Sequence, residues 1–497
     1  MASIGNTKDA WRHSVQEILS TEGKRSAKQS NKYGKSLRKA VPRDVFAAWR
    51  PPMGRPDPNE LLFEQDKMRV QDLVPVRHER MGVSAFTFYR GAALVMASDL
   101  SSLPTTGIEV QACGDAHISN FGLFLSPERR TVFDINDFDE TCRGPWEWDV
   151  ARLAVSVEIC GRDRGFTKKQ RRNAVLAAVR GYREAMREFA SMGTMDVWYA
   201  HFDTDNFLAR FGDELEATER KNANKVLTKS KKKNSVRAVS KFTEVVDGEL
   251  RIVSDPPLIV PLRNFAEQVA GQNVDGSEPE MAKIVSMVLR KYEKTLAPER
   301  AALVRQYHGV DMAHKVVGVG SVGLQAWIVV MEGATPDDVL VLQIKEATES
   351  VLERFVGKAA QPNHGQRVVE GQHAMQTASD ALLGWTRLLT PKGTHRDFYV
   401  RQLWDGKGSI DLNRIAAKGL SHLARACGWT LAHAHARTGD RFAIASYLGK
   451  SDVFDEALYT FAQAYATQNE QDYEAFVAAT AKDVKDAEDA RDAEDNQ

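Results

Sequence analysis

Three glycines, Gly318, Gly320 and Gly323, stand between two β-rich runs in KVVGVGSVGLQAWIVVMEG. A G-x-G-x-x-G turn of this kind lets backbone N–H groups approach anionic oxygens, because glycine has no side chain in the way. In a strand–turn–helix unit a helix would follow such a turn. Here LQAWIVVMEG reads as a second strand. A third, DVLVLQIKEA, follows after a turn of Gly, Ala, Thr, Pro and Asp. The stretch is therefore restricted to strand–turn–strand structure. Lys345 lies on the third run beside Val341, Leu342 and Ile344, which mark its surroundings as buried.

The 497 residues suffice for two or three domains, or for one large unit in two lobes. Hydrophobic residues at 43% and charged residues at 27% are ordinary for a soluble globular chain. Lys plus Arg equals Asp plus Glu, so nothing global argues for a nucleic acid or an anionic membrane as partner. Cys113, Cys142, Cys160 and Cys427 are scattered, with no CxxC pair, which reads as reduced thiols. No apolar run is long enough to span a bilayer, and the N-terminus lacks the apolar core of a signal peptide. A cytoplasmic location with no membrane partner is the expectation.

Along the chain, the segment to about Arg80 is polar, basic at its start and Pro-rich in WRPPMGRPDPNE, so it reads as partly irregular. SAFTFYRGAALVMASDL has helical apolar spacing. IEVQACGD and RTVFDINDFDE read as strands that run into polar loops. Helices follow from EWDVARLAVSVEIC to about Met192. The basic run at 220–237 reads as a solvated face ahead of a phosphate-contacting patch. The Ala-rich acidic tail reads as frayed or disordered.

The chemistry concentrates in VQACGDAHISNFG and DINDFDE. Asp115 and Asn120 are five residues apart, and Asp137 follows at the end of an apolar strand. A strand–loop–strand hairpin brings the three around one point. Carboxylate and carbonyl-type oxygens of this kind suit magnesium. A carboxylate left off the metal can orient a hydroxyl or accept its proton. His117 reads first as a hydrogen-bonded loop histidine. Asp139 and Glu140 read first as a solvated turn, with Asp139 kept as a possible site residue. Arg90 in FYRG is a candidate substrate contact, and a structural salt bridge is an equally good reading.

D-x-x-x-x-N followed by an apolar strand ending in D-F-x resembles the catalytic and metal-binding loops of protein-kinase-like phosphotransferases. GDAHISN is closer to the aminoglycoside and choline kinase branch, although Cys113 stands where that branch usually has histidine. The resemblance implies that Asp115 is the catalytic aspartate and that Asn120 and Asp137 are magnesium ligands. It also implies that Asp149, in WDVARLA, anchors the loop. Gly318, Gly320, Ser321 and Gly323 would cover the phosphates of ATP, and Lys345 would pair with them. Glu370 is the first choice as the partner of Lys345, and Glu353 the second. The segment Arg401 to Trp404, with Gln402 and Leu403 as its nucleotide contacts, would lie near the adenine. As a set, FYRGAA, CGDAHxxNFG, DFDE…GPWEWDVARLA, VVGVGSVG, LQIKEA and HARTGD resemble an uncharacterised bacterial family known as a domain of unknown function (number 2252), grouped with kinase-like folds.

In such folds the glycine loop and lysine precede the catalytic loop, whereas here they follow it. The expectation is an α+β, two-lobed, circularly permuted kinase-like fold with a small antiparallel β lobe and a larger helical lobe. Its parts would be an N-terminal extension (1–80), a helical lobe with the catalytic and metal loops (81–305), a β-rich nucleotide lobe (306–405), a return to the helical lobe (406–478) and an acidic tail (479–497). The helix in LSHLARACGWTLAHAHAR would lead spatially toward CGDAH. His433 and His435 read as capping or core residues, and Arg437 and Asp440 as a loop near the site.

The expected function is an ATP- and Mg2+-dependent phosphotransferase acting on a small-molecule hydroxyl. The alternatives are a catalytically silent nucleotide-binding regulator and AMP transfer to protein. A metallophosphoesterase ranks lower, because G-D-x-x-D and G-N-H-[DE] are absent.

Overall fold

In a computed structural model, the residues described are 25–202, 249–264, 278–316, 322–335, 338–389, 395–403 and 410–495, together with a few shorter stretches and single positions between 239 and 408. The basic run at 220–237 lies outside them. Four free cysteines are all buried. Among the described residues, no helix is long and apolar enough to cross a membrane.

The fold is mixed α and β with small antiparallel sheets. Strands β1 (Glu109–Ala112) and β4 (Cys142–Pro145) form one ribbon, and β2 (Phe121–Leu125) and β3 (Thr131–Ile135) form a hairpin. β5 (Thr243–Val246) and β6 (Glu249–Ile252) form a third pair. The remaining strands are β7 (Ile259–Pro261), β8 (His308–Lys315), β9 (Ala326–Glu332), β10 (Val339–Ala347), β11 (Gly384–Leu389) and β12 (His395–Gln402). They make a six-stranded sheet in the order β11-β12-β10-β9-β8-β7, with every pairing antiparallel. The glycine loop does connect two antiparallel strands, β8 and β9.

Alternation along β10 gives its two faces different jobs. Leu342 and Ile344 pack with Met312, Val329 and Phe398 in one apolar cluster. On the opposite face Val341 packs with Ile328 and Leu403, and Gln343 and Lys345 continue that row. The register sets Gln343 opposite Arg401 and Lys345 opposite Tyr399 on β12. One face thus carries a short polar ladder at the end nearest the acidic loops.

The largest core is helical. Its main helices are α1 (Trp146–Asp163), α2 (Lys168–Phe189), α3 (Ala417–Thr438) and α4 (Val453–Asp495). α2 and α3 cross closely because small residues meet there. A Cβ on Gly428 would lie 2.1 Å from the Ala178 carbonyl oxygen, so the crossing excludes any larger side chain.

Two expectations need correction, in the helix after Ser84 and in the tail. The described N-terminal residues are partly irregular as expected, over 49–57, and carry helices at Ala27–Ala40, Pro58–Asp66 and Val74–Met81. The first has a capping box at Ser26, and Arg55 joins Asp99 and Asp472 in a nearly buried ion-pair cluster. SAFTFYRGAALVMASDL forms two helices, Ala85–Gly91 and Ala93–Ser101, because Ala92 leaves helical geometry. The acidic tail continues α4 to Asp495, as Ala, Glu and Lys allow.

Glu147, in the first turn of α1, illustrates the cost of burying a carboxylate. Its Oε1 accepts the Thr106 N–H (2.8 Å) and hydroxyl (2.6 Å), while Oε2 has no partner. Burial outweighs those bonds and pushes the carboxyl from 4.5 up to about 7. The folded state therefore keeps a proton that the unfolded state releases. This contribution to stability is complete below 4.5 and is lost as pH rises through about 7. Glu147→Gln keeps an acceptor for Thr106 and abolishes the titration. Urea unfolding at pH 5 and pH 8 should show the variant gaining on the wild type by up to about 3 kcal/mol at the higher pH. Parallel pH dependence in both proteins would refute this reading.

Candidate active site

The loop after β1 is held from below by Asp149 on α1. The Asp149 carboxylate accepts the backbone N–H groups of Cys113 (2.6 Å) and Gly114 (2.9 Å). It also meets His435 Nε2 of α3 at 3.0 Å, and His435 Nδ1 meets the Tyr182 hydroxyl at 2.9 Å. Gly114 has φ +80°, and a Cβ there would strike the Glu140 carbonyl oxygen at 2.2 Å. The loop can therefore pass this point only as glycine. The end of α3 also touches β1, where the Thr438 hydroxyl accepts the Gln111 N–H at 3.2 Å.

One helical turn beyond Asp149, Arg152 reaches Asp115. Its Nε and Nη2 both bond Asp115 Oδ1, at 2.9 and 2.8 Å, and Nη2 also donates to the Tyr89 carbonyl. Asp115 Oδ2 lies 3.6 Å from His117 Nε2. Burial pushes the His117 imidazole down to about 4, so the ring is neutral at ordinary pH. Asn120 Nδ2 donates to the Asp115 carbonyl at 2.7 Å, and the Asn120 carbonyl accepts the Asn136 N–H at 2.8 Å. The β2–β3 register, Phe121 opposite Ile135, brings Asn120 alongside the DFD segment.

The second wall comes from the six-stranded sheet. Lys345 Nζ donates to Asp139 Oδ2, and the Tyr399 hydroxyl donates to Asp139 Oδ1 at 2.8 Å. Burial alone would push the Lys345 ammonium's pKa down. The carboxylates of Asp137 and Asp139 outweigh it and hold the group above its ordinary value. The ladder partner Arg401 donates to Gln343 Oε1 at 3.0 Å and to the Asn136 carbonyl at 3.5 Å.

The glycine loop is fastened by the N-terminal segment. Arg80 donates to the Gly318 carbonyl (2.7 Å), Arg69 to the Val322 carbonyl (2.5 Å), and the Val70 N–H to the Gly323 carbonyl (2.8 Å). In a trans peptide the N–H points opposite to the C=O, so the amides of Gly323 and Leu324 turn away from that segment. A single cavity is lined by Gly318, Gly320 and Leu324 on one side and by Asp115, His117, Asn120, Asp137, Asp139 and Glu140 on the other. Arg69 and Arg90 also line it.

Other expected positions lie elsewhere. Glu370 is exposed and bonds Gln361 and Gln366, and Glu353 faces Arg367 and the N–H groups of Ser350 and Ala359. Neither meets Lys345; Asp139 takes that place, so it is no solvated turn. The helix His364–Met375 instead points Arg367 inward, where it binds the carbonyls of Asp139, Thr141 and Thr348. The N–H of Gln402 is committed to Asp380 and that of Leu403 to the Val341 carbonyl. Ser321 lies outside the described residues. Arg437 bonds the Ala374 and Trp198 carbonyls, and Asp440 caps the helix Arg441–Leu448. Neither lines the cavity.

Arg152 and Tyr399 escaped sequence reasoning, and Arg401, expected near the adenine, instead donates to Gln343 and the Asn136 carbonyl. Arg152 had a legible signal, since it sits three residues after Asp149 on one helix face. Tyr399 had none without the β10–β12 register.

The fold and site define an α+β protein whose acidic loop and glycine loop face each other across one cavity. The family model described as "Uncharacterized protein conserved in bacteria" matches residues 69–479, and the chain belongs to that family. Comparison with curated proteins and with solved structures gave no match.

Proposed function

We propose that the protein is an ATP- and magnesium-dependent phosphotransferase acting on a small-molecule hydroxyl, with a circularly permuted kinase-like arrangement. The carrying observation is the shared cavity. Gly318 and Gly320 face Asp115, Asn120 and Asp137 across it, although some 200 residues separate the two sets in sequence. Lys345 does not itself line the cavity; it pairs with Asp139, which does. Contacts of the end of α3 with β1, which leads into the Asp115 loop, and with Asp149, which holds that loop, support the permuted chain order.

The donor set fits magnesium. Among the described residues, no three His, Cys, Asp or Glu side chains form a cage of the kind that holds a metal alone. Magnesium instead takes one or two carboxylates and completes its shell with water and substrate phosphate. Asp137 would supply the carboxylate. Asn120 would offer its amide oxygen, since its nitrogen is committed to the Asp115 carbonyl. The bound ion would neutralise phosphate charge.

In the transfer, the acceptor oxygen forms a bond to the terminal phosphorus while the bond from that phosphorus to the bridging oxygen breaks, and the diphosphate leaves. Asp115 aligns the hydroxyl and takes its proton. With one oxygen held by Arg152 its carboxylate is fixed in orientation, which suits a loose transition state where positioning matters most. Lys345 and the amides of the glycine loop hold the nucleotide phosphates.

The engagement of Asp115 by Arg152 disfavours a metallophosphoesterase. The test is a screen of hydroxyl-bearing metabolites for ATP consumption, with Asp115→Ala as the control. Turnover with some acceptor, abolished in the variant, is expected. Turnover that persists in the variant would overturn the reading.

A further inference from the structure

Among the described residues, Arg90 is a cation lining the cavity that has no partner. It ends the short helix Ala85–Gly91, and its neighbour Gly91 also lines the cavity. The other arginines nearby have tasks. Arg69 and Arg80 hold carbonyls of the glycine loop, Arg152 holds Asp115, and Arg367 holds loop carbonyls. The guanidinium of Arg90 has no hydrogen-bond or ion-pair partner among the described residues, and its buried Nε is unpaired. Its field reaches both Asp115 and Asp137. Its own carbonyl lies against Gly320, 3.4 Å from where a Cβ would stand.

Arg90 is half-buried, and a guanidinium whose Nε is sealed from solvent with no partner is costly to maintain unless an anion completes it. The groups it faces mark the position where an acceptor hydroxyl and a metal-bound phosphate would meet. Arg is suited to this place, since its planar fork binds phosphate oxygens in pairs. We infer that Arg90 binds the terminal phosphoryl group of a nucleoside triphosphate and stabilises the charge that develops as it transfers. This rests on the phosphotransferase reading and adds to it a means of telling triphosphate from diphosphate. An anionic group on the acceptor is the competing source of the same chemistry, and the experiment separates the two.

The probes are the non-hydrolysable β,γ-imido analogue of ATP and ADP, each with magnesium. They are titrated calorimetrically into the full chain as wild type, Arg90→Met and Arg90→Lys. Thermal unfolding of each checks that it is folded. A charge-assisted contact of this kind corresponds to roughly 10- to 100-fold in affinity. Arg90→Met should lose that factor for the triphosphate analogue and less than about threefold for ADP. Arg90→Lys should recover part of it, and it carries the test alone should the Met variant unfold. Unchanged binding of both ligands would assign Arg90 to the acceptor instead, and equal losses for both would make it a structural residue. Either result overturns the inference while leaving the nucleotide site standing. A wild type that binds neither ligand would remove both readings together.

Discussion

Asp115→Ala should still bind ATP with magnesium, within about threefold of the wild type, and should lose turnover by about 100- to 10,000-fold. The two effects separate because the residue's tasks separate. Lys345, the glycine loop and Asp137 contact the nucleotide in this account, whereas Asp115 meets only the acceptor. Removing it also leaves the Arg152 guanidinium, 3% exposed, facing an empty place where a carboxylate stood. Some loss of stability should therefore accompany the loss of rate. Asp115→Asn controls for this, since its amide oxygen can still accept from Arg152. It should fold nearly as well as the wild type and remain as slow as the alanine variant. Rapid turnover by the asparagine variant would mean that Asp115 has a structural role only.

Lys345→Met should show the second large effect, and it has two parts. The methionine leaves the half-buried Asp139 beside Asp137 with, among the described residues, only the Tyr399 hydroxyl to answer it. Breaking a buried pair in this way costs roughly 3–5 kcal/mol, more than an exposed pair would. Nucleotide binding should fall as well, since no ammonium remains for the phosphates. The double variant Lys345→Met with Asp139→Asn distinguishes the two. Removing the orphaned charge should restore most of the stability measured by urea unfolding. It should not restore binding. Recovery of both would show that Lys345 acts only as a strut for the acidic loop.

Much of the site was legible in the sequence, for physical reasons. D-x-x-x-x-N and the following apolar strand imply a hairpin, and the β2–β3 register delivers Asn120 next to Asn136 as that pattern requires. The glycine loop was legible because an apolar strand, and not a helix, follows Gly323. Asp149 was legible because its helix starts directly after the acidic loop, so that it can return to Cys113 and Gly114.

What stayed hidden depends on register and rotation across long separations. The partner of Lys345 was sought on the following helix. The helix instead turns Arg367 inward and Glu370 to solvent, and the carboxylate comes from Asp139, 206 residues earlier. The N-terminal segment read as partly irregular, and nothing in its sequence showed what its charges bind. Arg55, Arg69, Arg77 and Arg80 in fact meet carboxylates or carbonyls contributed by distant elements as well as by Asp66. A basic residue on a surface and one that closes a remote loop look alike in sequence.

The central claim is that glycines and an ammonium from the sheet and carboxylates from the β1–β3 loops jointly hold a magnesium nucleotide. Calorimetric titration of ATP into the wild type and Asp137→Ala, each with and without magnesium, tests this most directly. Saturable binding by the wild type that strengthens with magnesium, and a magnesium effect lost in Asp137→Ala, are the predicted results. No binding by the folded wild type, or binding indifferent to both magnesium and Asp137, would contradict the account.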